Sequence, residues 1–165
     1  MIQLLFVGAA IYLLTREDPT VRRVKEALDE WETDDSEDWT EADFRNDLAE
    51  YLRHDDCYLI EESGVRRGRR DIWIKDIDSE TEVVIEVKLE LSSSNEVKRL
   101  IGQIAAYSER AKAMFIVLID PDENMLDEVR ISLQALECKD KVEIVCMEAD
   151  EEVDDDDEDE DDDEE

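Results

Sequence analysis

Apolar positions along this chain follow a helical period in some stretches and a strand period of two in others, and the switches between them divide it into segments. Residues 2–14, IQLLFVGAAIYLL, hold a single polar side chain. As a helix this run would span about 20 Å, short of the roughly 30 Å hydrocarbon core of a bilayer. No positive residue precedes it and no small-residue cleavage site follows it, so it is a poor signal peptide. Two uses stay open: a short membrane anchor, or a buried terminal helix or oligomer contact. For an anchor, Arg16, Arg22, Arg23 and Lys25 beyond the run would keep the remainder cytoplasmic.

Asp18-Pro19 reads as a helix start, a capping side chain followed by proline at the first helical position. Val21, Val24, Leu28 and Trp31 then form an apolar stripe that either packs on the body or pairs with a second copy in a homodimer. Residues 32–38, ETDDSED, form an acidic linker. A compact domain is expected over 39–147, preceded by this 1–38 extension.

Within that domain, Thr40 and Asp43 resemble a capping box, and Phe44, Leu48 and Leu52 predict a helix over 41–53. Strands are expected at 57–62, 71–75 and 82–89, the last two joined by DIDSET. Ser92 to Asn95 cap a long helix running to about residue 112. The wholly apolar 113–119 is a strand buried on both faces. Asp120-Pro121 breaks it, a helix covers roughly 123–137, and 142–147 is a last strand. The order is α-β-β-β-α-β-α-β.

Charge adds to this picture. The chain has 165 residues, with 51 acids against 19 bases, a formal net charge of −32. Of the 18 residues from Glu148 to Glu165, 16 are Asp or Glu, so 148–165 is expected to be a disordered acidic tail. Residues 1–147 still carry −16, and lysine numbers only 7. An acid-rich, lysine-poor surface stays soluble in a very salty cytoplasm, so composition points to a salt-adapted halophilic source; an ordinary acidic protein is the alternative. Collagen, disulfide scaffolds, polytopic membrane proteins and broadly basic nucleic-acid binders are excluded. Cys57, Cys138, Cys146 and His54 show no metal-ligand spacing and read as free thiols and a lone histidine in a reducing cytosol.

The middle hairpin carries the candidate chemistry. A turn centred between Asp78 and Ser79 places Lys75 opposite Glu82, Trp73 opposite Val84 and Asp71 opposite Glu86. Alternation then sends Ile72, Ile74, Val83, Ile85, Val87 and Leu89 into a core, and Asp71, Glu86 and Lys88 together to the other face. Two close carboxylates repel unless a cation lies between them. Mg²⁺, with Mn²⁺ as a substitute, suits such oxygen donors and also holds phosphate. The bland alternative is a surface salt-bridge ladder, which contributes little.

At these residues the sequence resembles the PD-(D/E)XK nuclease superfamily, the fold of restriction enzymes and archaeal Holliday-junction resolvases. Residues 40–119 reproduce its αβββαβ core, about half of the chain. The resemblance implies an α/β, restriction-endonuclease-like fold with a central mixed sheet. Asp71 matches the acid of the second strand, and Glu86-Val87-Lys88 matches the E-x-K of the third. Gln103 and Tyr107, in GQIAAY, match a pair common on the following helix. Glu41 matches an acid early in the first helix, and it shares the inward face of Phe44 and Leu48. Arg70 stands where the motif has proline, and Glu61 and Glu62 are both open as a further acid of the first strand.

The resemblance implies a metal-dependent endonuclease, with Lys88, Asp71, Glu86, Gln103 and Tyr107 catalytic, and Asp71, Glu86 and Glu41 holding the metal. Arg66, Arg67, Arg69 and Arg70 form the one dense basic segment, GVRRGRR, placed to bind nucleic-acid phosphates. Lys98 and Arg99 extend it. The alternatives are that these arginines pair with surrounding acids, and that Gln103 and Tyr107 serve helix packing with exposed polar tips. At the level of function the alternatives are a catalytically inactive nucleic-acid-binding module of the same fold, with DNA or another nucleic acid as partner, and a membrane-tethered accessory protein in which residues 1–31 matter most.

Overall fold

The computed structural model describes residues 18–33, 38–53, 58–62 and 72–148, with the backbone path alone for 58–62. The elements are α1 (Pro19–Glu30), α2 (Glu41–Arg53), β1 (Tyr58–Glu62), β2 (Ile72–Asp76), β3 (Glu82–Leu89), α3 (Ser94–Tyr107), β4 (Ala113–Ile119), α4 (Glu123–Gln134), a short 3-10 turn (Lys139–Lys141) and β5 (Val142–Met147). The fold is α/β. Five strands form one mixed sheet in the order β1-β2-β3-β4-β5. β1, β2 and β3 are antiparallel neighbours, whereas β4 and β5 run parallel to β3.

Local chemistry sets the element starts. The Asp18 carboxylate accepts from the N–H groups of Thr20 and Val21 ahead of Pro19. At α2 the Asp43 carboxylate accepts from the Thr40 N–H at 2.9 Å and hydroxyl at 2.6 Å. At α3 the Ser93 hydroxyl accepts from Glu96 N–H, and the Glu96 carboxylate accepts from Ser92 N–H at 3.2 Å. Asp122 caps α4 in the manner of Asp18.

The sheet divides two apolar layers. Ile72, Ile74, Val83, Ile85 and Val87 pack with Phe44, Leu48 and Leu52 of α2. Val24 and Leu28 of α1, with Trp31 just after it, join that same core, so the stripe covers its own sheet. The opposite layer joins Val84, Met114, Ile116 and Leu118 to α3 and α4 through Val97, Leu100, Ile104, Val129 and Leu133. β4, central to both layers, is buried at all seven positions.

The β2–β3 register places Lys75 opposite Glu82 and Trp73 opposite Val84, as the turn position predicts, with Ile72 opposite Ile85. Two helix ends fall short of expectation. α3 stops at Tyr107 instead of about residue 112, because the Lys112 N–H must bond the Glu82 carbonyl, at 2.8 Å, for β4 to enter beside β3. α4 ends at Gln134, and a turn through the 3-10 segment leads into β5.

Several expectations lie outside the described residues: the apolar run 2–14, His54 and Cys57, the basic segment with Arg66, Arg67, Arg69 and Arg70, the candidate acid Asp71, the side chains of Glu61 and Glu62, and the tail beyond Glu148. Among the described residues no helix is long and apolar enough to cross a membrane.

Candidate active site

β3 alternates between the two layers. Val83, Ile85 and Val87 enter the α1–α2 core, while Val84 enters the α3–α4 core, and Glu86 and Lys88 continue the Val84 row. Both charged residues are buried, Glu86 at 1% and Lys88 at 4% exposure. This separates them from a surface ladder, whose members keep their water.

The Lys88 ammonium is surrounded by acceptors. It forms an ion pair with Glu86 Oε1, lies 3.5 Å from Glu41 Oε1 and donates to the Val87 carbonyl at 2.8 Å. A buried charge is tolerable only when paired, and this ammonium has a partner for each proton. Glu41 keeps 33% of its side chain exposed and so marks the side from which solvent reaches the cluster.

The start of α2 explains why Glu41 is free to turn inward. Two acids occupy its first turn. Asp43 is committed to the cap, and the Thr40 hydroxyl, followed by the Thr40 N–H, holds its carboxyl below the ordinary value. Glu41, the first residue of the helix, reaches the strand instead.

Glu41 and Glu86 thus converge on one cation, and as hard oxygen donors they fit Mg²⁺. With the Lys88 charge they leave a net −1, which one further carboxylate such as Asp71 would raise to the charge a divalent ion balances. Among the described residues no three His, Cys, Asp or Glu side chains cluster as a ready metal site. The third donor of the sequence-based set, Asp71, lies outside them.

The helix residues are placed differently from one another. Gln103 Oε1 is buried with no hydrogen-bond partner among the described residues, so its tip is not exposed. The Tyr107 ring packs edge-on against Trp73, with centroids 5.7 Å apart and planes at 80°. Trp73 opposes Val84, at the far end of β3 from Lys88. Lys98 and Arg99 are exposed on the first turns of α3.

Two groupings escaped the sequence reading. Arg110 lies 5.0 Å over the Trp73 ring while pairing with Glu82 at 3.3 Å. Its three-residue spacing from Tyr107 was the available signal. The second is Asp76, whose carboxylate accepts from Ser79 N–H (2.8 Å), Asp78 N–H (2.9 Å) and, across the fold, the Thr20 hydroxyl (2.7 Å). These donors, Ser79 N–H foremost, pull its pKa down to about 2. Asp76 followed by Asp78-Ser79 was a legible turn signal. Its bond to Thr20 was not.

Cys138 and Cys146 are free thiols. The chain matches no known protein-family model and no curated protein.

Proposed function

We propose that this protein is a Mg²⁺-dependent nuclease of the PD-(D/E)XK type that hydrolyses phosphodiester bonds in DNA. The observation that carries the reading is the buried Lys88, two residues after the buried Glu86 on an inner strand and approached by Glu41 from α2. A buried ion pair is a poor stabiliser compared with well-packed apolar residues, so its place on an inner strand calls for a chemical reason. The order α2-β1-β2-β3-α3-β4 around a mixed sheet agrees with the fold that reading requires.

Glu86, Glu41 and Asp71 would hold the metal, Asp71 lying one residue before the Ile72–Ile85 pair in sequence. The bound ion supplies charge to the scissile phosphate and lowers the pKa of a water. Lys88 orients the attacking water and balances the charge that develops as the new P–O bond forms and the old one breaks. Its rigid placement by Glu86 and Val87 O limits reorganisation during the reaction. Gln103, whose buried oxygen has no partner among the described residues, would accept from the attacking water. Tyr107 contributes by holding Trp73 and the hairpin. The arginines of 66–70, with Lys98 and Arg99, would hold phosphates along the substrate. The reading places the work in the cytoplasm, with residues 2–14 available for membrane association.

The test is a cleavage panel of duplex, single-stranded, branched and mismatched DNA at molar KCl, with and without Mg²⁺. Mg²⁺-dependent cleavage that Glu86→Gln removes is the expected result. Binding without cleavage under any divalent metal would leave a non-catalytic binding module in its place.

A further inference from the structure

The outer face of α3 differs from every other helical surface described. α1 exposes Glu26, Asp29 and Glu30, α2 exposes Asp43 and Glu50, and α4 exposes Glu123 and Asp127. The exposed positions of α3 between its first turn and its end are Lys98, Arg99, Gly102, Ala105 and Ala106. From residue 97 to 108 the chain has no acid at all, in a sequence with 51 of them. The acids that flank this stretch are occupied or lie beyond the helix. The Glu96 carboxylate caps α3 by accepting from Ser92 N–H and the Ser93 hydroxyl, and Glu109 lies past the last helical residue, Tyr107.

Packing does not explain the smallest of these residues. A Cβ built on Gly102 meets nothing within 4 Å. Glycine inside a helix is unfavourable relative to alanine, so an exposed one with open space around it is not there for the fold of this chain. On a surface where solubility favours Asp and Glu, both the missing acids and the missing side chains need a cause outside the monomer.

We infer that the outer face of α3 is a docking surface for the sugar–phosphate backbone of nucleic acid. The inference rests on the nuclease reading for its partner and extends the contact from two basic residues to a whole helix face. Lys98 and Arg99 supply positive charge at one end, while Arg110 beyond the other end is already paired with Glu82. The intervening Gly102, Ala105 and Ala106 let phosphates approach the helix without meeting a carboxylate or a bulky side chain. α3 spans about 21 Å, enough to lie along roughly six nucleotide steps of a duplex. Charge complementarity selects a polyanion over a second copy of this acidic chain.

The experiment uses the full chain in KCl solutions of increasing concentration, with Mg²⁺ present. Binding of a fluorescently labelled duplex carrying uncleavable phosphorothioate linkages is read by anisotropy, and cleavage of the ordinary duplex is measured in parallel. Gly102→Glu with Ala106→Glu should weaken binding about tenfold or more, with the melting temperature held. Lys98→Gln with Arg99→Gln should lower the slope of log affinity against log salt by about 2. Gly102→Ala should raise the melting temperature, which controls for the loss of the helical glycine alone. Wild-type binding and cleavage that the acidic variants leave unchanged would overturn the α3 surface and spare the nuclease. A wild type that neither binds nor cuts would overturn both. Acidic variants that change the sedimenting mass of the DNA-free protein, and not its DNA affinity, would assign the face to self-association and overturn the proposal.

Discussion

The hairpin of β2 and β3 contains two buried carboxylates, Asp76 and Glu86, and they are stabilised in different ways. Asp76 sits at the turn, 6% exposed, and accepts from two backbone N–H groups and one hydroxyl, all neutral dipoles fixed by the turn and by α1. Glu86 sits mid-strand, 1% exposed, and is balanced by the charge of Lys88. A carboxylate satisfied by fixed dipoles gains nothing from a metal and acts as a lock. A carboxylate satisfied by a neighbouring charge, with a second carboxylate and solvent close by, can exchange partners. Burial alone does not mark a functional acid; the kind of partner does.

The largest effect that separates the two should come from Lys88→Ala. Under the proposed function it lowers kcat about 10²–10³-fold, with KM changing less. It also leaves Glu86 buried beside no ammonium, so the metal-free protein should lose about 3–5 kcal/mol of stability. Mg²⁺ should restore part of that loss. Urea unfolding of wild type and variant in molar KCl, with Mg²⁺ and with chelator, checks this. An unchanged midpoint in chelator would show that Glu86 does not depend on Lys88.

Asp76→Asn should cost less and leave cleavage per folded molecule unaltered. Because the folded pKa of Asp76 is depressed from 3.8 to about 2, its contribution is present above about pH 4 and is lost as pH falls from about 4 to about 2. That contribution is about 2 kcal/mol. Unfolding free energy measured over that range at constant high salt should fall more steeply for wild type than for Asp76→Asn. Parallel curves would mean the turn donors are not holding the charge.

Thr20→Val removes one of the three donors and one of two links between α1 and the hairpin turn, the other being the Thr81 hydroxyl donating to Asp18 at 3.2 Å. A loss of about 1 kcal/mol is expected, with faster hydrogen exchange in α1 and none added in β4. Exchange that rises equally in both elements would show that α1 does not open separately.

The smallest effect sits beside the site. Glu90, directly after β3, has φ of 46°, a left-handed conformation that glycine adopts without strain. Glu90→Gly should raise stability by about 1 kcal/mol in thermal unfolding. A fall would mean that the Glu90 side chain makes a contact worth more than the strain.

What the sequence determined is what neighbours in the chain can decide. The caps at Asp18, Thr40 and Ser93 involve residues within three or four positions of one another, and each forms as read. The hairpin register follows from a tight turn and an alternation of period two, so Trp73 and Lys75 meet the residues expected of them. From the same alternation came the sharing of a strand face by Glu86 and Lys88. Tertiary structure decided how deep that face lies. Whether two charges on an alternating strand are wet or dry depends on which helices cover them, and α3 and α4 arrive from later in the chain. The helical period aimed Glu41 inward, but only the axis of α2 against the sheet brings its oxygen to 3.5 Å from Lys88. Thr20 meets Asp76, and Tyr107 meets Trp73, for the same reason. Contacts between elements are fixed by how whole apolar faces fit together, and that fit is a property of the assembled layers, which no local pattern encodes.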